Sequence, residues 1–358
     1  MPLSITEYDR RERRAKCALS FQEVLAFAST AMEVTGFPAR LKSESQIASY
    51  MDWNDGDNTG AIFEPDSFIP VRALRTTFTS EEVGLARTVA DAVARLTKER
   101  TGREMRPIGT LLAVFGLFRI IQAMKAAWSL PQISVFEIGP GTGYLGPLLA
   151  LTGDRYAATD NSQAFYLWQN RLLSTVAGEE FWDWAEMGPP STGPRIQHLP
   201  WWDYVKLRDR AEPRADIFVA NCNLGEMNPY ALKYTTQIAR RLVGDSPIGY
   251  FLYVSIGNPL HASAESIEQE ILRRRFRRIY GKLFNCFSAR TVIGVNDSNL
   301  DKDIPLFGNG STTDAQGLLR AIGVDRFPLP FDIDFLSFLG FENHFVDHPA
   351  FKSLIGTK

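Results

Sequence analysis

Five polar residues, Glu137, Asp160, Asp203, Asn223 and Glu226, stand where short apolar runs give way to turns, and their spacing places them around one crevice. Residues 135–146 read VFEIGPGTGYLG: an apolar run closing on Glu137, then a turn holding Gly139, Gly141, Gly143 and Gly146. Seventeen residues beyond Gly143, the run RYAATDNSQ ends on Asp160 with Asn161 beside it. Glycine lets the chain turn sharply and lets a ligand approach the backbone with no Cβ in the way. A carboxylate at the tip of the following strand can accept hydrogen bonds from both hydroxyls of a ribose. The pair describes a βαβ unit for an adenosine-containing cofactor.

Two cofactors satisfy the glycines alone, because residues 141–146 also spell the GxGxxG dinucleotide fingerprint. Glu137 favours the alternative: a pyrophosphate over the turn would be repelled by that anion, whereas a sulfonium and an ammonium would be attracted. Pro140 removes an N–H donor that a pyrophosphate site would use. The turn also begins well over a hundred residues into the chain, while many dinucleotide enzymes open with it. The pattern E-x-G-x-G-x-G, at Glu137, Gly139, Gly141 and Gly143, resembles that of class I S-adenosylmethionine-dependent methyltransferases, over roughly residues 128–347. EIGPGTGYLG, SQAFYLWQNRLL and NCNLGEMN together look like the sugar O-methyltransferases of bacterial saccharide clusters, with departures at Pro140 and Thr142.

The resemblance implies S-adenosylmethionine as cofactor, held by Glu137, Gly139, Gly141, Gly143, Asp160, Asn161 and Asn223. It also implies Asp203 near the adenine amino group. Methyl transfer rests on in-line alignment and desolvation, and an oxygen acceptor must still lose its proton to a carboxylate or imidazole. Glu226 is the first candidate base and His261 the second. His344 and His348, on an expected strand and turn, would not share a face, so no metal pair is expected. The partner implied is a small-molecule acceptor such as a sugar or nucleotide sugar. Two other classes remain open: a nicotinamide-dependent oxidoreductase, and a cofactor-binding homologue without catalysis.

Positioning these residues requires alternating strands and helices. Strands are expected at 196–204, 215–227 and 248–259, and helices from Ala164 and over 230–242. That cadence predicts an α/β fold, a doubly wound, mostly parallel, seven-stranded Rossmann-like methyltransferase sheet with an N-terminal helical extension. The division expected is 1–127 as a helical cap or dimerisation region and 128–358 as the cofactor-binding domain. Helical spacing marks residues 5–34, Ser80 is read as the cap of a helix running towards Lys98, and a further helix covers 108–129. Residues 51–60 are a turn-rich break whose acids miss the calcium-loop spacing. Residues 264–282 read as one arginine-rich helix, balanced by Glu265, Glu268 and Glu270. Beyond it the reading is a loop at 298–314, a helix at 331–340 and a strand at 341–347.

A net charge of −2 gives no bias towards polyanions, so nucleic acid is not an expected partner. Three cysteines, Cys17, Cys222 and Cys286, far apart and odd in number, fit free thiols in a reducing compartment. The charged N-terminus and the interruption of residues 108–127 by Arg119, Gln122 and Lys125 lead to the expectation of a cytoplasmic protein without a membrane span.

Overall fold

The structure, a computed structural model, describes residues 3–20, 40–46, 80–105, 108–210, 213–221, 223–246, 249–255, 262–284 and 289–296. His261, His344, His348, Cys222, Cys286, residues 51–60 and the elements expected beyond residue 296 lie outside these ranges.

The strands are β1 (Ser134–Ile138), β2 (Arg155–Asp160), β3 (Phe181–Asp183), β4 (Ile196–Pro200), β5 (Ile217–Asn221), β6 (Tyr250–Ser255), β7 (Phe276–Phe284) and β8 (Ala289–Asn296). They form one sheet in the order β3-β4-β2-β1-β5-β6-β8-β7. The six strands from β3 to β6 pair in parallel, and β8 runs antiparallel to both β6 and β7. The order reverses at β1, so chain leaves the carboxyl ends of β1 and β5 in opposite directions and a crevice opens between them. The fold class is the α/β, Rossmann-like one expected, with eight strands in place of seven. Part of that difference is β3, a three-residue edge strand too short for alternation to reveal it.

Alternating side chains of each strand enter opposite cores. Val135, Tyr156, Ile217, Val219 and Leu252 face one; Phe136, Ile138, Phe218, Phe251 and Tyr253 face the other. Burial on both faces explains why β1, β5 and β6 read as nearly continuous apolar runs. The first face is covered by α2 (Ser80–Thr101), α3 (Ile108–Ala127), α4 (Leu145–Leu151) and part of α5 (Gln163–Ala177). The second is covered by α1 (Ile5–Ala18), the short helices α6 (Trp184–Met187) and α7 (Trp201–Tyr204), α8 (Pro229–Val243) and α9 (Ala264–Arg273). Helices from the first 127 residues therefore share both cores with the sheet.

Local chemistry sets several helix starts. Ser4, Ser162, Asn228 and Ser263 cap α1, α5, α8 and α9 through their side-chain oxygens, and Pro229 takes the first position of α8, where no N–H is needed. Two expected elements are corrected. The strand placed at 196–204 ends at Pro200, and burial of Trp201, Trp202 and Tyr204 coils the remainder into α7. The helix placed at 264–282 stops at Arg273: Arg275 adopts φ 61°, and β7 begins at the buried Phe276. A charge count sees one arginine run there, but Phe276 must reach the core that already holds Phe251.

Candidate functional site

The glycine turn follows β1 at the carboxyl edge of the sheet. Gly139, Gly141 and Gly143 have φ of 59°, 59° and 73°, the left-handed region that side-chain-bearing residues avoid. Two of them also lack room. A Cβ on Gly139 would lie 2.6 Å from Asn223 Nδ2, and one on Gly143 would lie 2.7 Å from Gln169 Cγ. The turn is closed by Gly143 N–H donating to the Pro140 carbonyl at 2.9 Å, and tied to β2 by Gly139 N–H donating to the Thr159 carbonyl at 2.8 Å. α4 behind it has only seven residues, which leaves little helix dipole at this end.

Asp160 ends β2 and is buried. Its Oδ1 accepts from Ser162 N–H at 3.0 Å; its Oδ2 accepts from Gln169 Nε2 at 3.1 Å and from Gly141 N–H at 3.4 Å. Burial pushes the carboxyl up to about 6, and these donors only partly offset it. Asn161, half-buried, continues the chain past it. Glu137 lies on the same face of the sheet, buried, with Tyr156 Oη donating to its Oε2 at 2.6 Å. Burial raises it to about 7, against the pull of that hydrogen bond, and Asp160 adds repulsion. Glu137 thus lies buried against Tyr156 on the strand that leads into the turn.

Glu226 sits in the 3-10 turn Leu224–Glu226 that follows β5. The residue is exposed at the surface, yet partial loss of solvent around its carboxyl, and then the charge of Asp160, push that carboxyl upward. Asn223 starts that turn and acts as a latch between strands: its Nδ2 donates to the carbonyls of Ile138 and, at 3.3 Å, Gly139. Its Oδ1 is buried without a partner, as are Gln169 Oε1 and Thr159 Oγ1. Two orphaned amide oxygens, of Asn223 and Gln169, flank the glycine turn, and a hydrogen-bonding ligand there could satisfy them.

The fold brings Glu137, Gly139, Gly141, Gly143, Asp160, Asn161, Asn223 and Glu226 to the ends of β1, β2 and β5. Asp203 is placed differently. It lies in α7 rather than at a strand tip, with Lys206 at 3.8 Å and Arg210 at 3.4 Å. Burial raises its carboxyl while those two cations draw it back, so it is a neutralised acid. Gln169 is the important residue that sequence reasoning missed. It donates to the Gly141 carbonyl at 2.6 Å and to Asp160, clamping the turn from α5. Its place in the polar trio Gln169, Asn170 and Arg171 within a buried helix is the one signal that could have pointed to it. Behind Asp160, Tyr166 and Asn170 donate to Asp183, and Asn170 meets His198 Nδ1 at 2.5 Å; burial holds that imidazole neutral.

A cavity of about 350 Å³ lies at the opposite edge of the sheet, lined by Ser134, Arg155, Arg195, Arg214 and Asp216 among others. Its arginines already serve Gly193, Ala150, Glu180 and Asp245, so it offers no free chemistry and is not the candidate site. Among the described residues no group of three or more His, Cys, Asp or Glu is arranged to hold a metal, and no helix is long and apolar enough to cross a membrane.

No protein-family model matches this chain, and no curated protein matches it. Among solved structures it is similar to the N-methyltransferase NodS from Bradyrhizobium japonicum WM9 in complex with S-adenosyl-L-homocysteine, with 14% identity over 51% of this chain and 88% of that one and a TM-score of 0.36. Magnesium protoporphyrin IX methyltransferase from Synechocystis PCC 6803 with bound SAM aligns at 12% identity over 59% and 97%, with a TM-score of 0.35. A TehB-like SAM-dependent methyltransferase from Corynebacterium glutamicum aligns at 11% identity over 50% and 87%, also at 0.35. Likenesses this loose do not assign a function.

Proposed function

We propose that this chain is an S-adenosylmethionine-dependent methyltransferase whose acceptor is a small molecule, with a hydroxyl oxygen of sugar-like character receiving the methyl group. The observation that supports this most is the uncompensated acidity of the crevice. Glu137, Asp160 and Glu226 all have carboxyls raised from their ordinary values, and none of the three is ion-paired among the described residues. A carboxylate and a phosphate charge about 6 Å apart at an effective dielectric of ~20 repel by about 3 kcal/mol. A seven-residue helix preceded by Pro140 has little to offset that against a pyrophosphate. A sulfonium and an ammonium gain from the same field.

In this reading Asp160 receives the ribose hydroxyls, and Asn161 and Asn223 line the approach. The left-handed glycines let the ligand lie on bare backbone, and Glu137 supplies negative charge. The bound cofactor supplies an electrophilic methyl group. Glu226, exposed after β5 and with a raised carboxyl, serves in its ionised form as the base that takes the acceptor hydroxyl's proton. His261, the second candidate base, lies outside the described residues.

The test is cofactor affinity against pH, from about 5.5 to 8, measured by calorimetry. Deprotonating raised carboxyls favours cations, so S-adenosylmethionine should tighten with rising pH. It should tighten more steeply than S-adenosylhomocysteine, which lacks the sulfonium charge. NADH should bind weakly and weaken further. NADH binding tighter than S-adenosylmethionine at pH 8 would replace this reading with the oxidoreductase one. Tight S-adenosylmethionine binding with no labelled methyl transferred to the small molecules of a lysate would leave a cofactor-binding homologue without catalysis.

A further inference from the structure

The N-terminal segment is fastened along three successive strand ends, all on the side of the crevice where Asp160 lies. Beyond β2, Gln163 uses both ends of its amide: Nε2 donates to Asp9 Oδ1 at 2.6 Å, and Oε1 accepts from Leu41 N–H at 2.7 Å. Beyond β3, Arg11 donates to the Ala185 carbonyl. Beyond β4, Trp201 Nε1 donates to Glu12 Oε1 at 2.9 Å, and Tyr8 is wedged between Tyr166 and Trp202 with ring centroids 5.2 and 5.1 Å away. Arg40 closes the segment on itself by pairing with Asp9 at 2.9 Å and with the buried Glu12. Tyr8 is wholly buried and its hydroxyl has no partner.

One short turn connects this fastening to the ligand carboxylate. Asp160 Oδ1 holds Ser162 N–H, Ser162 Oγ caps α5, and Gln163 is the first residue of that helix. Whatever restrains Asp160 restrains Gln163, and through its amide the segment. We infer that docking of residues 3–20 and 40–46 and binding of the adenosine part of the ligand are one coupled event, with Gln163 as the positioning residue that couples them. This rests on the proposed cofactor reading and extends it to a part of the chain outside the βαβ unit.

Linkage makes the coupling reciprocal: a ligand that favours the docked segment is favoured by it to the same degree. The experiment follows amide hydrogen exchange across the full-length protein with and without saturating S-adenosylhomocysteine. It also measures the affinities of Gln163→Ala for S-adenosylhomocysteine and for 5′-methylthioadenosine, which has the adenosine part but no amino-acid part. Exchange in residues 3–20 should slow on binding in the wild type and respond less in the variant. Both ligands should lose affinity by the same factor, about 5- to 20-fold, the scale of one or two lost hydrogen bonds. A thermal melt checks that the variant is folded, and the wild-type exchange experiment stands if it is not. Slowed exchange at the glycine turn with none in residues 3–20 overturns the inference and spares the cofactor reading. Absence of any binding to the wild type removes the reading and the inference together.

Discussion

The two edges of the sheet bury their carboxylates on opposite terms. At the amino edge, Asp154 is fully buried and completely served: Lys125 Nζ at 2.7 Å, Gln122 Nε2 at 2.8 Å, Thr152 Oγ1 at 2.9 Å and Ile133 N–H at 3.1 Å. Asp216 nearby takes Ser134 N–H at 2.8 Å and Ser246 Oγ at 2.7 Å. At the carboxyl edge, Asp160 and Glu137 are buried without a cation, and burial pushes both upward. A buried charge that is paired and hydrogen-bonded holds the fold together. One that is hydrogen-bonded but left without a counter-charge is a cost to folding.

The largest expected effect breaks the served end. Asp154→Ala strands Lys125, only 18% exposed, and frees three further donors. It should destabilise the protein by about 3–5 kcal/mol in denaturant melts, the usual cost of orphaning one member of a buried pair. A loss below about 1 kcal/mol would mean that the amino edge is not held as its geometry indicates.

The same surgery at the other end should cost binding instead. Asp160→Asn should reduce S-adenosylhomocysteine affinity by about 10- to 100-fold, the scale of hydrogen bonds to a charged group, while stability changes little. Unchanged affinity in calorimetry would remove Asp160 from the ligand site.

Glu137→Gln sharpens the contrast through pH. Glu137 titrates at about 7 in the folded chain against an ordinary value of 4.5, so the folded chain holds the extra proton between those values. Stability therefore falls as pH climbs from about 4.5 to about 7, and the neutral glutamine escapes that loss. The variant should gain on the order of 2 kcal/mol over wild type between pH 5 and pH 8. A gain independent of pH would contradict a raised carboxyl. Smallest is Tyr8→Phe. Removing a buried hydroxyl that has no partner should leave the unfolding free energy of the free protein, read from denaturant melts, within about 0.5 kcal/mol of wild type, and a clear loss would reveal a partner for it.

Much of the carboxyl edge could be read along the chain, because its parts are local. Glu137, the glycines and Asp160 fall within one βαβ unit, where alternation, turn chemistry and strand-end position are short-range properties. The helix expected over 230–242 is met by α8, whose bounds differ from it by a single residue at each end. Legibility failed where distant chain decides the outcome. Asp203 looks like a strand-end acid until Trp201 and Trp202 need burial, and the arginine run at 273–278 looks helical until Phe276 is drawn to Phe251. The roles of Gln169 and Gln163 depend on residues 28 and 154 positions away, and no spacing rule reaches that far.

By itself the sequence determined the α/β class, the glycine turn and the acids beside it, since hydrophobic period and backbone freedom are written residue by residue. Only the tertiary structure decided that Glu137 is buried against Tyr156, that Asn223 latches β5 to β1, and that the N-terminal segment is anchored along the adenosine side. Those outcomes depend on which buried polar groups find partners across the fold, and burial is a property of the packed chain as a whole.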